Sequence, residues 1–198
     1  MSISFKLSDR LISLQNAIYF FRKHFLTIIG LGLISAFGRV IQLGGFGEIT
    51  SWTNVFLEVI IESSRILLFL YVLGLANMKK GILRVKHFFA QKSNRKLWWT
   101  IAIQKLKKQW LSVFLNLIGF LVIAWTINYL IDLLAYETCF YLTLKKDGIL
   151  AESSSEWTIL LFFKNLTVIP FTLIFDTLLL LWLSNKLSNY RNNSLMLK

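Results

Sequence analysis

Four charged residues lie in two apolar stretches of the sequence, at positions where they can reach one another. Glu58, Glu62 and Arg65 are separated by four and three residues, so a helix places all three on one face. Arg39 belongs to the preceding apolar stretch. An ionised group at the centre of a bilayer costs roughly 2.5–3.5 kcal/mol, so such groups pair or contact water. We therefore predict that Arg39 pairs with Glu58 or with Glu62, and the spacing leaves both partners open.

Two functions are compatible with charges at these positions. The first is a hydrated pathway or proton relay, and the second is an attraction between helices that serves packing alone. Packing is the simpler interpretation, because paired charges of opposite sign need no conduction to explain them. We expect Lys164, in the last apolar stretch, to extend outward toward the headgroups. The predicted intramembrane charge network comprises Arg39, Glu58, Glu62, Arg65, Asp132 and Asp176.

No catalytic or cofactor motif accompanies these charges. The sequence contains no phosphate-binding loop, no nucleophile elbow, no HExxH zinc motif and no dinucleotide fingerprint. His24 and His87 fall near the expected membrane surface, too shallow for a haem held between helices. Cys139 is the sole cysteine, which excludes an intramolecular disulfide and a cysteine-based zinc site. We therefore predict no enzymatic activity, no catalytic residue, no bound metal and no cofactor.

The segment 77–109 is strongly basic. It carries ten Lys and Arg residues and no acid, interleaved with Phe88, Phe89, Trp98 and Trp99. Clusters of this kind attract anionic lipid headgroups, at about 1 kcal/mol for each basic residue. The same groups suit phosphates and stacked bases, so a cytosolic protein, a ribonucleoprotein or another nucleic acid is an alternative partner. The predicted binding residues are Lys79, Lys80, Arg84, Lys86, Lys92, Arg95, Lys96, Lys105, Lys107 and Lys108.

The composition assigns these residues to a membrane protein. Of 198 residues, 56% are hydrophobic and only 16% are charged, and the mean hydropathy is +0.60. Soluble domains carry about 25% charged residues. Four stretches stay apolar over the roughly 20 residues that cross a bilayer as a helix. We predict an all-α polytopic membrane protein with four transmembrane helices and basic amphipathic interfacial helices. The four stretches are 25–43, 55–76, 110–136 and 157–183.

The charge of the connecting segments predicts the orientation. The net charge is +12, and most Lys and Arg residues outside the apolar stretches lie in three segments that such a topology places on one side. Short segments rich in Lys and Arg stay in the cytoplasm. We therefore expect a multi-pass inner (plasma) membrane protein in contact with anionic lipids, with both termini cytoplasmic. The expected domains are an N-terminal amphipathic basic helix on the cytoplasmic face (1–24), a first transmembrane hairpin (25–76), a basic cytoplasmic segment with amphipathic helices (77–109), a second transmembrane hairpin (110–184) and a cytoplasmic tail (185–198).

Amphipathic patterns precede two of the apolar stretches. The basic segment is predicted to form two short helices with a turn near Ser93 and Asn94. The N-terminal helix carries one apolar stripe, which either lies in the headgroup plane or packs on the basic segment. This stripe comprises Leu7, Leu11, Leu14, Ile18, Phe21 and Phe25.

Small residues and one proline predict how the transmembrane helices pack. Gly32 and Ala36 are four residues apart, a spacing that permits the close approach of a second helix. Pro170 has no backbone N–H, so we expect it to kink the last stretch and to free a carbonyl near Leu166. The helix that contains Pro170 is therefore expected to be interrupted within the bilayer.

Three functions remain compatible with these features. The first is a non-enzymatic module that forms a homo-oligomer and opens a pore or otherwise perturbs the membrane. The second is a membrane-anchored accessory or regulatory protein whose basic segment docks a cytosolic partner, for example a CRISPR-type defence nuclease. Small basic four-span proteins occur as accessories of bacterial antiviral defence systems, although no motif in this chain carries that association. The third is a small transporter, which four spans support only weakly.

Overall fold

The structure is a computed structural model that describes residues 10–90 and 92–187, with only the backbone described at 92–95 and 97. Its described residues form helices, turns and loops and contain no strand, as the sequence predicts. The helices are α1 Ile12–Lys23, α2 Phe25–Gln42, α3 Ser51–Leu73, α4 Met78–Ala90, α5 Lys92–Lys108, α6 Trp110–Tyr136, α7 Phe140–Lys146, α8 Glu156–Leu166 and α9 Val168–Leu183.

Three helical segments are long and apolar enough to cross a membrane. They are α2, α6 and the consecutive pair α8–α9, which together span Glu156–Leu183. Helices α3 and α4 are apolar enough to cross a membrane only when they are taken together as a pair, and the pair bends by 90° between its two helices. The chain is thus compatible with a helical membrane protein that has three spans, or four if the bent pair counts as one.

The chain divides into two compact units. Unit 1 consists of Met1–His24, Phe69–Val122 and Leu173–Lys198. Unit 2 consists of Phe25–Leu68 and Ile123–Thr172. The long helices α3, α6 and α9 contribute residues to both units.

Unit 2 is built on close approaches to α2. A Cβ added to Gly32 would lie 3.3 Å from the carbonyl oxygen of Asn165 in α8, and one added to Gly38 would lie 2.7 Å from Cγ1 of Ile61 in α3. The Ser64 hydroxyl donates a hydrogen bond of 2.6 Å to the Leu31 carbonyl oxygen, which ties α3 to α2. The close approach predicted from Gly32 is therefore confirmed, with α8 as the neighbour.

The interruption predicted from Pro170 is also present. Helix α8 ends at Leu166 and α9 begins at Val168, so Thr167 separates them with φ −124° and ψ −69°. The proline offers no N–H to the carbonyl four residues before it, and its ring crowds that carbonyl. The Phe163 carbonyl oxygen beside the break accepts both the Thr167 backbone N–H at 3.0 Å and the Thr167 hydroxyl at 2.7 Å.

In unit 1, α1 is held by a polar contact to Asn116 of α6. Asn116 accepts a hydrogen bond of 2.8 Å from the Leu14 backbone N–H and donates one of 2.6 Å to the Arg10 carbonyl oxygen. The first N–H groups of a helix have no partner within it, so a side-chain amide here satisfies one of them. This contact sets which face of α1 is turned inward.

The predicted apolar stripe of α1 is therefore not its buried face. Leu14 is buried, but Ile18 and Phe25 are 38% and 49% exposed. Leu7 lies outside the described residues. The buried side chains of α1 are Ser13, Leu14, Asn16, Ala17 and Phe20.

Two details of the connecting segments also differ from expectation. The basic segment forms two helices, as predicted, but the second begins at Lys92, so Ser93 and Asn94 lie in the first turn of α5 and not in the turn between the helices. Ser and Asn favour helix starts as well as turns, so their presence does not by itself break a helix. The segment between α6 and α8, expected to be a loop, contains the short helix α7.

We expect Gly81→Ala to destabilise the fold. In unit 1, a Cβ on Gly81 would overlap the carbonyl oxygen of Leu70 and lie 3.3 Å from the backbone nitrogen of Gly74. Crowding of this kind costs about 1–3 kcal/mol. Gly30→Ala is the matched control, because its added Cβ would meet no described atom within 4 Å and Ala favours helix by about 1 kcal/mol. Thermal unfolding in detergent measures both, and equal melting temperatures for the two variants would contradict the close approach.

Candidate functional site

The predicted ion pair between Arg39 and Glu58 is present in unit 2. The Arg39 Nη1 atom lies 2.8 Å from Glu58 Oε2, and Nη2 lies 3.0 Å from Oε1, so both carboxylate oxygens are bound. Glu62, the alternative partner, is further away, at 3.8 Å from Arg39 Nη2. A two-point contact of this kind is stronger and more directional than a single one, so α2 and α3 are joined mainly through Glu58.

Gln42 completes this contact on the side of α2. It accepts a hydrogen bond of 2.7 Å from Arg39, and it donates to Glu58 and to the Asn54 carbonyl oxygen, both at 3.0 Å. Each polar atom of the Gln42 amide is therefore used. An amide that holds both members of an ion pair stabilises one geometry of that pair.

A second ion pair involves Arg65 and Glu62, which are three residues apart on α3. Arg65 donates through Nη1 to Glu62 and through Nη2 to Asn165 Oδ1, the latter at 2.8 Å. The Asn165 amide in turn donates to the Leu161 carbonyl oxygen at 2.7 Å. This chain of contacts connects α3 with α8 close to the interruption at Thr167.

The two cations and the two carboxylates of this site differ in exposure. The side chains of Arg39 and Arg65 are 24% and 23% exposed, whereas those of Glu58 and Glu62 are 46% and 47% exposed. The site as a whole carries no net charge. Its outer surface, which we call the carboxylate face, consists of Glu58 and Glu62 on α3.

Asp132 and Asp176 do not join these four residues. Asp132 lies 3.8 Å from Lys164, so Lys164 pairs across unit 2, whereas the sequence predicted an outward extension. The carboxylate of Asp132 is close enough to neutralise the ammonium group. Asp176 belongs to unit 1 and makes no ion pair with any residue that the structure describes.

Two of the predicted basic residues donate hydrogen bonds within unit 1. Arg84 donates to the carbonyl oxygen of Leu73, the last residue of α3. Lys105 donates to the Trp182 carbonyl oxygen at 2.6 Å and to Asn185 Oδ1 at 2.7 Å, at the end of α9. Cations at the C-terminal ends of helices satisfy the last carbonyl groups and oppose the negative end of the helix dipole.

The other predicted basic residues fall into two groups. The side chains of Lys92 and Arg95 lie outside the described residues. Six side chains are exposed in unit 1, namely Lys79, Lys80, Lys86, Lys96, Lys107 and Lys108.

Lys186 is a further cation of unit 1 that the sequence analysis did not place in a site. Its Nζ atom lies 2.9 Å from the ring centroid of Trp98. Burial, together with the nearby charge of Arg84, lowers the pKa of Lys186, and burial alone lowers the pKa of Lys105. No sequence pattern links Lys186 to Trp98, because 88 positions separate them and only the fold brings them together.

We expect strong coupling between Arg39 and Glu58 in a double-mutant cycle. Arg39→Glu or Glu58→Arg leaves like charges facing each other, and the double exchange restores opposite charges. Residues in direct contact show coupling energies of about 0.5–3 kcal/mol. The measurement is the free energy of unfolding in detergent for the four proteins, with Arg39→Glu plus Glu48→Arg as the control, since Glu48 is exposed and does not pair with Arg39. Additive effects in the Glu58 cycle would contradict the pair.

The described residues contain no group of three or more His, Cys, Asp or Glu side chains arranged to hold a metal ion. The site is therefore described by its ion pairs and by the amides that support them. In comparisons with known proteins, no family model matches the sequence, and no curated protein or solved structure matches the chain.

Proposed function

We propose that the chain is a non-enzymatic multi-pass membrane protein whose copies associate around the carboxylate face and enclose a hydrated, pore-like path. The observation that carries this proposal is the exposure of Glu58 and Glu62 on a single chain. Each carboxylate is close to half exposed, although α3 also presents Trp52 and Phe56 at 85% and 65% exposure. One helix thus offers both a lipid-compatible surface and a charged surface.

Lipid tails supply no hydrogen bonds, so a charged surface within the bilayer needs water or protein against it. The described atoms of one chain leave the carboxylate face uncovered. A second copy that presents the same face, with water between the copies, covers the exposed half of each carboxylate. The guanidinium groups lie behind them, so the path would be lined by negative groups and would favour cations.

The topology proposed with this function is four spans in the inner membrane, with both termini in the cytoplasm. It takes α2, α6 and α8–α9 as three spans and proposes α3, the first helix of the bent pair α3–α4, as the fourth. Two contacts support it, because basic side chains from α4 and α5 bind the last carbonyl groups of both α3 and α9 within unit 1. The C-terminal ends of these two helices would therefore share the cytoplasmic side that the basic segment prefers.

The direct test is ion flux through the purified protein in liposomes. We expect cation flux from the unmodified chain and at least a severalfold loss in Glu62→Ala, because Arg65 and Arg39 then leave excess positive charge on the path. Glu48→Ala is the matched control, as it removes an exposed acid outside the site. Flux that is absent despite verified incorporation, or that is unchanged in Glu62→Ala, would contradict the proposal.

A membrane-anchored accessory protein is the second candidate. Six exposed lysines in unit 1, with no acid anywhere in residues 77–109, favour an acidic cytosolic partner such as a protein or a ribonucleoprotein. The same preparation distinguishes the two functions. This candidate is favoured if a stoichiometric partner is recovered with the chain from mild detergent, if Lys107→Glu abolishes that recovery, and if the purified chain shows no ion flux.

A further inference from the structure

Unit 1 contains an apolar cavity of about 470 Å³. It is formed by the end of α3, by α4 and α5, and by the end of α9. Its walls include Phe69, Leu73, Phe88, Trp98 and Leu180. Cavities that hold small ligands range over roughly 300–1,000 Å³, so this one has room for part of a lipid-sized molecule.

The walls of the cavity are almost entirely apolar. Ser184, one of its two polar lining residues, donates its hydroxyl to the Leu180 carbonyl oxygen at 2.9 Å. Arg84, the other, donates to the Leu73 carbonyl oxygen. The remaining surface is hydrocarbon and aromatic, with the rings of Phe88 and Trp98 separated by 5.7 Å between centroids. A hydrocarbon chain gains from contact with such walls, because it leaves water without losing hydrogen bonds.

Positive charge lies beside this apolar volume. The Lys186 Nζ atom lies 2.9 Å from the centroid of the Trp98 ring. Arg84 lines the cavity, and its charge is close enough to Lys186 to lower the pKa of that lysine. Asp176 is the sole acid among the described residues of unit 1. It forms no ion pair with these cations. Two neighbouring cations without a carboxylate favour an anionic ligand.

We propose that this cavity binds an anionic phospholipid, with one acyl chain against Phe88 and Trp98 and the phosphate against Lys186 and Arg84. A soluble phosphate would leave the apolar walls unfilled, and a zwitterionic lipid would bring no net charge to the two cations. The proposal requires that the chain contact a membrane, but it does not require a hydrated path. A protein that conducts no ions can still satisfy it.

The test uses brominated acyl chains, which quench tryptophan fluorescence on contact. The full-length protein is placed in nanodiscs of phosphatidylcholine that contain a small fraction of either brominated phosphatidylglycerol or brominated phosphatidylcholine with the same chains. The quenching that disappears in Trp98→Phe reports on the cavity. The quenching that disappears in Trp52→Phe reports on bulk lipid, because Trp52 is 85% exposed on α3.

We expect the Trp98-dependent quenching to be stronger with phosphatidylglycerol, and the Trp52-dependent quenching to be equal for both lipids. Lys186→Gln should lower the preference of the cavity for phosphatidylglycerol about fivefold, the effect of one basic residue near an anionic surface. Lys146→Gln removes the same charge at an exposed position in unit 2, outside the predicted binding residues, and should leave the preference unchanged. Ala102→Leu narrows the cavity without changing its charge, so it should weaken the Trp98-dependent quenching by both lipids. This variant tests the cavity even if the Lys186 variant fails to fold.

Two results would overturn the proposal. Equal quenching of Trp98 by the two lipids would mean that bulk lipid alone fills the cavity. The absence of Trp98-dependent quenching with either lipid would mean that another part of the chain, or a protein partner, occupies it.

Discussion

The cost of placing charge in an apolar helix dominates the structure of unit 2. Arg39 and Arg65 lie on helices otherwise suited to lipid, and each guanidinium group is bound by a carboxylate and by an amide. These contacts cross from α3 to α2 and to α8, so neutralising the charge also aligns the helices. The small residues of α2 bring the backbones close enough for these side chains to meet. Charge pairing and close packing thus depend on each other.

The cations of unit 1 have different partners. Arg84 and Lys105 bind carbonyl groups at the ends of α3 and α9, and Lys186 lies over an aromatic ring. Carbonyl oxygens and rings stabilise a cation without cancelling its charge. Unit 1 therefore keeps its positive potential while its basic helices stay in place. This difference explains why a neutral site and a region of uncompensated positive charge exist in the same chain.

The features predicted correctly from sequence depend on one residue or on one pair. Ionised groups in apolar stretches need partners of opposite charge, which predicted that Arg39 pairs with Glu58 or Glu62, and a proline inside a helical stretch removes a backbone hydrogen bond, which predicted the interruption near Pro170. The inward face of α1 could not be predicted, because it is set by Asn116, which lies 102 positions from Leu14. The pairing of Lys164 with Asp132 and the cavity beside Trp98 likewise result from contacts between distant segments. Local patterns carry no signal for them.

In the proposed pore, contact with another copy of the chain covers the carboxylate face in the membrane. It is tested most directly by cysteine cross-linking in native membranes, starting from Cys139→Ser to remove the exposed native thiol. Val55 lies one turn before Glu58, whereas Leu67 lies on the opposite side of α3, and both are exposed on a single chain, by 59% and 42%. We expect cross-linked oligomers for Val55→Cys and only monomers for Leu67→Cys. Monomers in both, or equal cross-linking in both, would contradict it.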